Sequence, residues 1–305
     1  MNANVTKFIK QIVPLAIRVE LQRFSAKEEY QRNKKRYIEA KRITDFLKTE
    51  LKKNDDPEKR QVFKFLKKRL CVFFPYDFID KYDEKNIEVH LDSNCKMNYV
   101  LYKNKRIYFP RNMEVGKIRG LYNSLLEEQD INSPHCYQIE NFQVKEDDIV
   151  ADVGAAEGLF SLMIIDKAKE IHLFECEPHW IEALEKTFEP WKEKVKITNK
   201  YVSDISNKTN VTLDEYFGEK EVNFIKADIE GAELSMLKGA TSILQRKNLK
   251  LVLCTYHKQN EAEELNEELS KNGFATEFSK GYMLFHLYDE LMPPYLRRGL
   301  IRATK

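Results

Sequence analysis

The stretch from Asp148 to Ser161, DIVADVGAAEGLFS, constrains this chain more than any other. It opens as a short apolar strand, Ile149-Val150-Ala151 and Val153, with Asp152 near its end. It then turns through Gly154-Ala155-Ala156 and starts a helix at about Glu157-Gly158-Leu159-Phe160. Strand, small-residue turn and helix is how an α/β sheet brings backbone close to a nucleotide-like ligand. Gly154 permits backbone angles that a Cβ hinders, and Gly158 lets the helix approach the sheet or a ligand. A second strand, Ile171-His172-Leu173-Phe174, ends in Glu175, about twenty residues after the turn. A carboxylate there can accept hydrogen bonds from both hydroxyls of a ribose.

The spacing separates two classes of ligand. A dinucleotide fold uses G-x-G-x-x-G to lead a pyrophosphate onto a helix N-terminus. Here Ala155, Ala156 and Glu157 separate Gly154 from Gly158, and no second glycine stands two positions after Gly154. An acidic residue beside the turn repels a pyrophosphate and suits a cationic, phosphate-free ligand. S-adenosylmethionine is one, with a sulfonium, an ammonium and a ribose. Asp152 or Glu157 can hold its amino-acid end, and Glu175 its ribose. The segment Lys200 to Asp204, with Ser203 and Asp204, leaves the sheet where an adenine can lie.

Downstream, strands and helices alternate. A helix runs from Pro178 to about Phe188, a strand over about Val195–Thr198, and another over Val222–Ala227 that ends in Asp228-Ile229-Glu230-Gly231-Ala232-Glu233. Leu249–Tyr256 is a near-continuous apolar run, as a strand buried on both faces requires, and it delivers His257 and Lys258. A charged helix spans Glu261–Asn272, and two last strands are expected near Ala275–Phe278 and Tyr282–Leu287. The expected fold is therefore α/β: a doubly wound, mostly parallel, seven-stranded Rossmann-like sheet. Asp152, Glu175, Asp228 and His257 fall at the carboxyl ends of strands, where such sheets bind ligands.

Three parts are expected: a basic helical extension over 1–72, a small antiparallel lead-in plus a helix over 73–132, and the sheet domain over 133–305. The net charge of +2 hides an asymmetry, since residues 1–70 carry about +11 and the rest about −9. Val5–Phe24 has apolar residues at helical spacing, with a kink expected at Pro14. Ser25 and Glu28 form a capping box for a second helix to about Leu51. Asp56-Pro57 then reads as the cap and first residue of a third, to about Leu70. Three readings of this arm stay open: an extension that packs on the core or forms a homo-oligomer, attachment to an anionic membrane face, and nucleic-acid binding. The last ranks lowest, because acids are mixed among the bases. Strands are expected at Ile87–Leu91, Met97–Tyr102 and Arg106–Phe109, with a turn at Asn104. The loop Asn132–Tyr137 follows a helix over Met113–Glu127, and its His135 and Tyr137 can either reach the site or serve packing. Five scattered cysteines without C-x-x-C spacing, no secretory signal and no apolar run of membrane-spanning length point to a cytoplasmic protein, with peripheral contact at the inner membrane face as the arm's alternative.

Four stretches now carry a resemblance: ADVGAAEGLFS from Ala151, HLFECEPHW from His172, LDEYF from Leu213, and NFIKADIEGAELSMLKGA from Asn223. Over about Ser133 to Leu287 the chain resembles the FkbM-type family of S-adenosylmethionine-dependent methyltransferases. The resemblance implies the class I methyltransferase fold, with the cofactor over Gly154 and Glu175. It also implies O-methylation of a hydroxyl on a sugar or other specialised metabolite. The ribose ligand aligns with Glu175, with Glu177 as the alternative.

Methyl transfer to a hydroxyl needs positioning and a base or metal near the oxygen. Asp228 is the first candidate, with Glu230 on the same side of an extended chain. The two form either a base and its partner or a Mg²⁺ site, unless they merely cap a helix. His257 is the second candidate base. The competing classes are a nucleotide- or dinucleotide-binding oxidoreductase on a similar sheet and a non-catalytic partner protein that keeps the fold.

Overall fold

Asp56 and Pro57 mark the first helix boundary that the sequence foretells in detail. In the computed structural model, which describes residues 27–285 and 292–305, α1 spans Lys27–Lys53 and α2 spans Pro57–Leu66. The Asp56 carboxylate accepts from the backbone N–H groups of Glu58 and Lys59, and Pro57 occupies the first turn, where its missing N–H costs nothing. The expected helix over Val5–Phe24, its Pro14 kink and the Ser25 cap lie outside the described residues. No described helix is long and apolar enough to cross a membrane.

The described residues fall into two units, rather than the three parts expected with breaks after 72 and 132. One runs up to Ile79 and takes in Lys280–Arg297, and the other holds Asp80–Ser279 and Arg298–Lys305. In the first, Ala40, Ile43 and Leu47 of α1 pack on Val62, Phe65 and Leu66 of α2, with Leu284, Tyr295 and Leu296 in the same cluster. That burial places the 280–297 segment with the helices.

The second unit opens with an antiparallel sheet, β1 (His90–Asp92), β2 (Met97–Tyr102) and β3 (Lys105–Tyr108). Lys103 and Asn104 both have positive φ, 48° and 67°, as a two-residue hairpin turn demands. Helix α3 (Val115–Glu128) follows. Then come β4 (Ile149–Val153), α4 (Leu159–Ile164), β5 (Glu170–Phe174), α5 (Pro178–Phe188) and β6 (Val195–Thr198). A two-stranded pair, β7 (Tyr201–Val202) and β8 (Asn210–Val211), leads to α6 (Leu213–Phe217). The chain continues through β9 (Phe224–Ala227), α7 (Glu233–Lys238), β10 (Lys250–Cys254), α8 (Glu261–Lys271), β11 (Ala275–Phe278) and β12 (Leu300–Thr304). The main sheet has seven strands in the order β11-β12-β10-β9-β4-β5-β6. All are parallel except β12, which runs antiparallel to both neighbours. The order reverses between β4 and β9, so the ligand crevice of a doubly wound sheet lies at their carboxyl ends.

One strand is not where the sequence reading put it. The seventh strand is β12, at Leu300–Thr304, and not Tyr282–Leu287. Leu300, Ile301 and Ala303 are buried, and so is Arg302 between them. The Arg302 guanidinium donates to the Cys136 carbonyl at 2.5 Å and lies over the Phe142 ring. The Arg302 charge is thus held inside the sheet layer by one carbonyl and a ring face. Met283 makes only a single bridge, to Arg297, and residues 286–291 lie outside the described residues.

Gly158 has φ +79°, and a Cβ there would come within 2.8 Å of Phe188 and 2.9 Å of Leu184. It lets the start of α4 pack directly on α5. Gly158→Ala should cost about 2–4 kcal/mol, from left-handed strain plus overpacking, read as a lowered urea midpoint. A change below about 0.5 kcal/mol, the range of an ordinary surface substitution, would contradict this packing.

Candidate functional site

The turn after β4 is fixed from two sides. Gly154 has φ +75°, and a Cβ on it would sit 1.9 Å from the Asp228 carbonyl oxygen. The glycine therefore serves the close approach of the turn after β9. On the other side the N–H groups of Gly154 and Ala155 donate to the Phe174 carbonyl at 3.0 and 3.1 Å. Glu175, at the end of β5, accepts from Ala156 N–H through Oε2 and from Cys176 and Glu177 N–H through Oε1, each at 2.8 Å. A carboxylate has about four acceptor positions, so one direction remains for a ligand hydroxyl. Glu177 is exposed and 3.7 Å from His179, which leaves Glu175 as the carboxylate tied to the turn.

Asp152 is engaged within the protein. It is wholly buried, with Ser161 Oγ donating to Oδ2 at 2.7 Å and Lys226 Nζ 3.0 Å from Oδ1. Lys226 also donates to the Gly154 carbonyl at 2.6 Å. Burial alone would lower the lysine's pKa, but Asp152 and Asp228 override it and raise it. Of the two carboxylates proposed for the amino-acid end, Glu157 is the half-buried one. Its pKa is raised to about 7 by burial, with Asp152 and Asp228 adding to the shift against Lys226.

Ser203 and Asp204 are also engaged elsewhere. Asp204 Oδ1 accepts from Ser235 Oγ on α7 at 2.8 Å, and Ser203 Oγ accepts from Asn210 Nδ2 at 3.0 Å. The Ser203 carbonyl occupies the space that a Cβ on Gly239 would need. The residues that reach Glu175 from this side are Asn199, whose Nδ2 donates to the Glu175 carbonyl at 3.0 Å, and Tyr201 beside Cys176.

Asp228 is the hub of the site. Tyr137 Oη donates to its Oδ2 at 2.9 Å and Tyr256 Oη to its Oδ1 at 3.3 Å. His135 Nε2 stands 3.6 Å from Oδ2 and His257 Nε2 3.4 Å from Oδ1. The loop read from sequence as either functional or packing thus lands on the site. Burial pushes the Asp228 carboxyl up, but His135, Lys226 and His257 together hold it well below the usual carboxylate range. Burial and the Asp228 charge push both phenols well above 10, so they remain donors.

His257 is buried between acids. Its Nδ1 is 3.5 Å from Glu233 Oε1, and its Nε2 faces Asp228 and, at 3.7 Å, Glu230. Burial lowers its pKa, but the hydrogen bond to Glu233 and the charges of Asp228, Glu233 and Glu230 raise it above 6.5 overall. Glu230 is mostly exposed with φ +55°. The side-chain sets close enough to share an ion omit Glu230, and each contains a histidine. Mg²⁺ favours an all-oxygen shell, so the expected Asp228–Glu230 magnesium site is not supported and no metal is assigned.

Sequence reasoning missed Lys226, Tyr256 and Glu128. Lys226 had a signal: a lone lysine inside an apolar strand must be paired. Tyr256 stood in plain view beside His257. Glu128, whose Oε2 is 3.9 Å from His135 Nδ1, looked like one more surface acid on a charged helix. Burial first, then Glu157 and Asp228, raise its pKa well above 4.5.

A stability test follows from His257. Its folded pKa is raised, so the stabilisation is complete below about 6.5, its unfolded value. It is lost as pH rises through the folded pKa. Urea unfolding at pH 6 and pH 9 should show wild type losing its advantage over His257→Gln as pH rises. An advantage that grows with pH would contradict the assignment.

Residues 185–276 match the family model described as the methyltransferase FkbM domain. No curated protein matches the chain in sequence. Among solved structures, a methyltransferase FkbM from Methylobacillus flagellatus KT is 16% identical over 62% of this chain and 54% of its own, with a TM-score of 0.46. The chain thus spans about half the length of that structure. A precorrin-6y C5,15-methyltransferase from Geobacter metallireducens GS-15 is 14% identical over 53% of this chain and 82% of its own, with a TM-score of 0.38. An rRNA methylase from Streptococcus thermophilus is 14% identical over 53% and 89%, with a TM-score of 0.37. By this match, residues 185–276 are similar to the FkbM methyltransferase domain.

Proposed function

We propose that the chain is an S-adenosylmethionine-dependent methyltransferase that methylates a hydroxyl on a sugar or another small polyhydroxylated metabolite. The observation that carries this reading is His257, held between Glu233 and Asp228 at the carboxyl ends of β9 and β10. An imidazole with one carboxylate beside Nδ1 and Nε2 turned toward Asp228 at the strand ends is an arrangement that suits a general base.

The residues fit the cofactor. Glu128, Glu157 and Asp228 share the charge of Lys226, and burial first, then the neighbouring acids, raise the pKa values of Glu128 and Glu157 against it. A sulfonium with an ammonium suits those acids, whereas a pyrophosphate meets repulsion. This favours methyl transfer over the oxidoreductase reading. Bound at the turn, S-adenosylmethionine supplies a methyl group on a positively charged sulfur. Glu157 would hold the cationic end, and Glu175 would accept from the ribose. His257 Nε2 takes the acceptor's hydroxyl proton. Asp228, held ionised, is a poor proton acceptor, so it orients His257 and stabilises the imidazolium. The base role therefore moves to His257 from Asp228, the first candidate on sequence alone.

Calorimetry on the purified chain tests the reading. S-adenosylhomocysteine should bind and NAD should not. Glu175→Ala should weaken binding by about 10–100-fold, the worth of charge-assisted hydrogen bonds to the ribose. Binding of NAD, or an unchanged affinity in Glu175→Ala, would contradict it.

A further inference from the structure

Behind His257 lies a second buried carboxyl that the proposed reaction does not use. Glu261, the first residue of α8, is 3% exposed, and its Oε2 accepts from the N–H groups of His257 and Lys258 at 3.0 and 3.2 Å. The same oxygen stands 3.9 Å from His257 Nδ1. Glu233, entirely buried, accepts from Ile229 N–H through Oε1 at 2.9 Å and lies 3.5 Å from the same Nδ1. Its other oxygen, Oε2, is buried and meets no donor among the described residues. Such an oxygen is costly unless a proton reaches it. Glu261 faces the same His257 nitrogen as Glu233 and can supply that proton.

We propose that Glu233 and Glu261 form a singly protonated carboxyl pair that holds one negative charge and one shared proton behind His257, which makes Glu261 a positioning residue for the base. Two adjacent carboxyls out of water cannot both ionise cheaply. Burial first, and then the Glu233 charge, raise Glu261 to about 7, which agrees with the geometry. The pair faces His257 from one side. Asp228 and Glu230 face it from the other, and the Tyr256 ring lies against it with centroids 4.1 Å apart. Lys258 turns away to donate to the Gly231 carbonyl. The pair's charge keeps a proton on Nδ1, so Nε2 stays open to receive one. Either carboxyl can carry the charge, so the pair tolerates loss of one member better than loss of both.

This inference rests on His257 as the base, but its test does not need turnover. The His257 side chain is titrated by ¹H–¹⁵N NMR in the full chain without acceptor. Glu233→Gln and Glu261→Gln should each change its proton affinity by about threefold or less. The double substitution should lower it by about tenfold or more. A Glu233→Gln shift as large as that of the double variant would show that Glu261 holds no charge, and would overturn the proposal. If the double variant does not fold, infrared spectroscopy decides. At pH 6 the wild-type minus Glu261→Gln difference spectrum, in which the protonated Glu128 and Glu157 cancel, should show the loss of one buried protonated carboxyl band. A difference spectrum with no lost carboxyl band would overturn it. Failure of S-adenosylhomocysteine binding with this titration intact would instead count against the methyl-transfer reading alone.

Discussion

The site depends on one close approach, between the turn after β4 and the turn after β9. At Gly154 there is no room for a Cβ beside the Asp228 carbonyl. Lys226 bonds the Gly154 carbonyl from below and pairs with Asp152. These contacts hold two loops at one spacing, and everything functional is hung on them. Glu157 lies on the first loop and Asp228 on the second. A buried lysine–aspartate pair contributes little net stability. Its worth here lies in geometry, because no apolar pair could also bond the Gly154 carbonyl.

The same arrangement explains the charge of the site. Lys226 bonds Asp152 and Gly154 directly, and its charge reaches the acids above it only at longer range. Asp228 gains compensation from His135 and His257 as well, and stays ionised. Glu128 and Glu157 do not, and their pKa values rise. On the proposed reading this charge distribution suits a cation, and the tyrosines at 137 and 256 fix the Asp228 carboxylate.

Much of the fold was legible in the sequence, because period and punctuation carry it. The strands at 149, 195 and 275, the helix at 178 and the cap at Asp56 lie where apolar runs and turn residues put them. The last strand was not legible, because Arg302 disguises an apolar run and its partner Cys136 is far away in the chain. The site was legible in part. Residues at strand ends, Glu175, Asp228 and His257, could be placed from topology. Asp152, Ser203 and Asp204 could not be judged, since a strand-end acid looks the same whether it faces a ligand or a buried lysine. Side-chain partners distant in sequence decide that question, and no local pattern records them.

The central claim is that S-adenosylmethionine lies on the Gly154 turn with its ribose on Glu175 and its reactive sulfur toward His257. A crystal structure of the full chain with S-adenosylhomocysteine tests it most directly. The account predicts ribose hydroxyls within hydrogen-bond distance of the Glu175 carboxylate, the ligand's ammonium beside Glu157, and its sulfur facing the Asp228–His257 cluster. Ligand density elsewhere on the chain, with Glu175 still bonded to backbone alone, would contradict it.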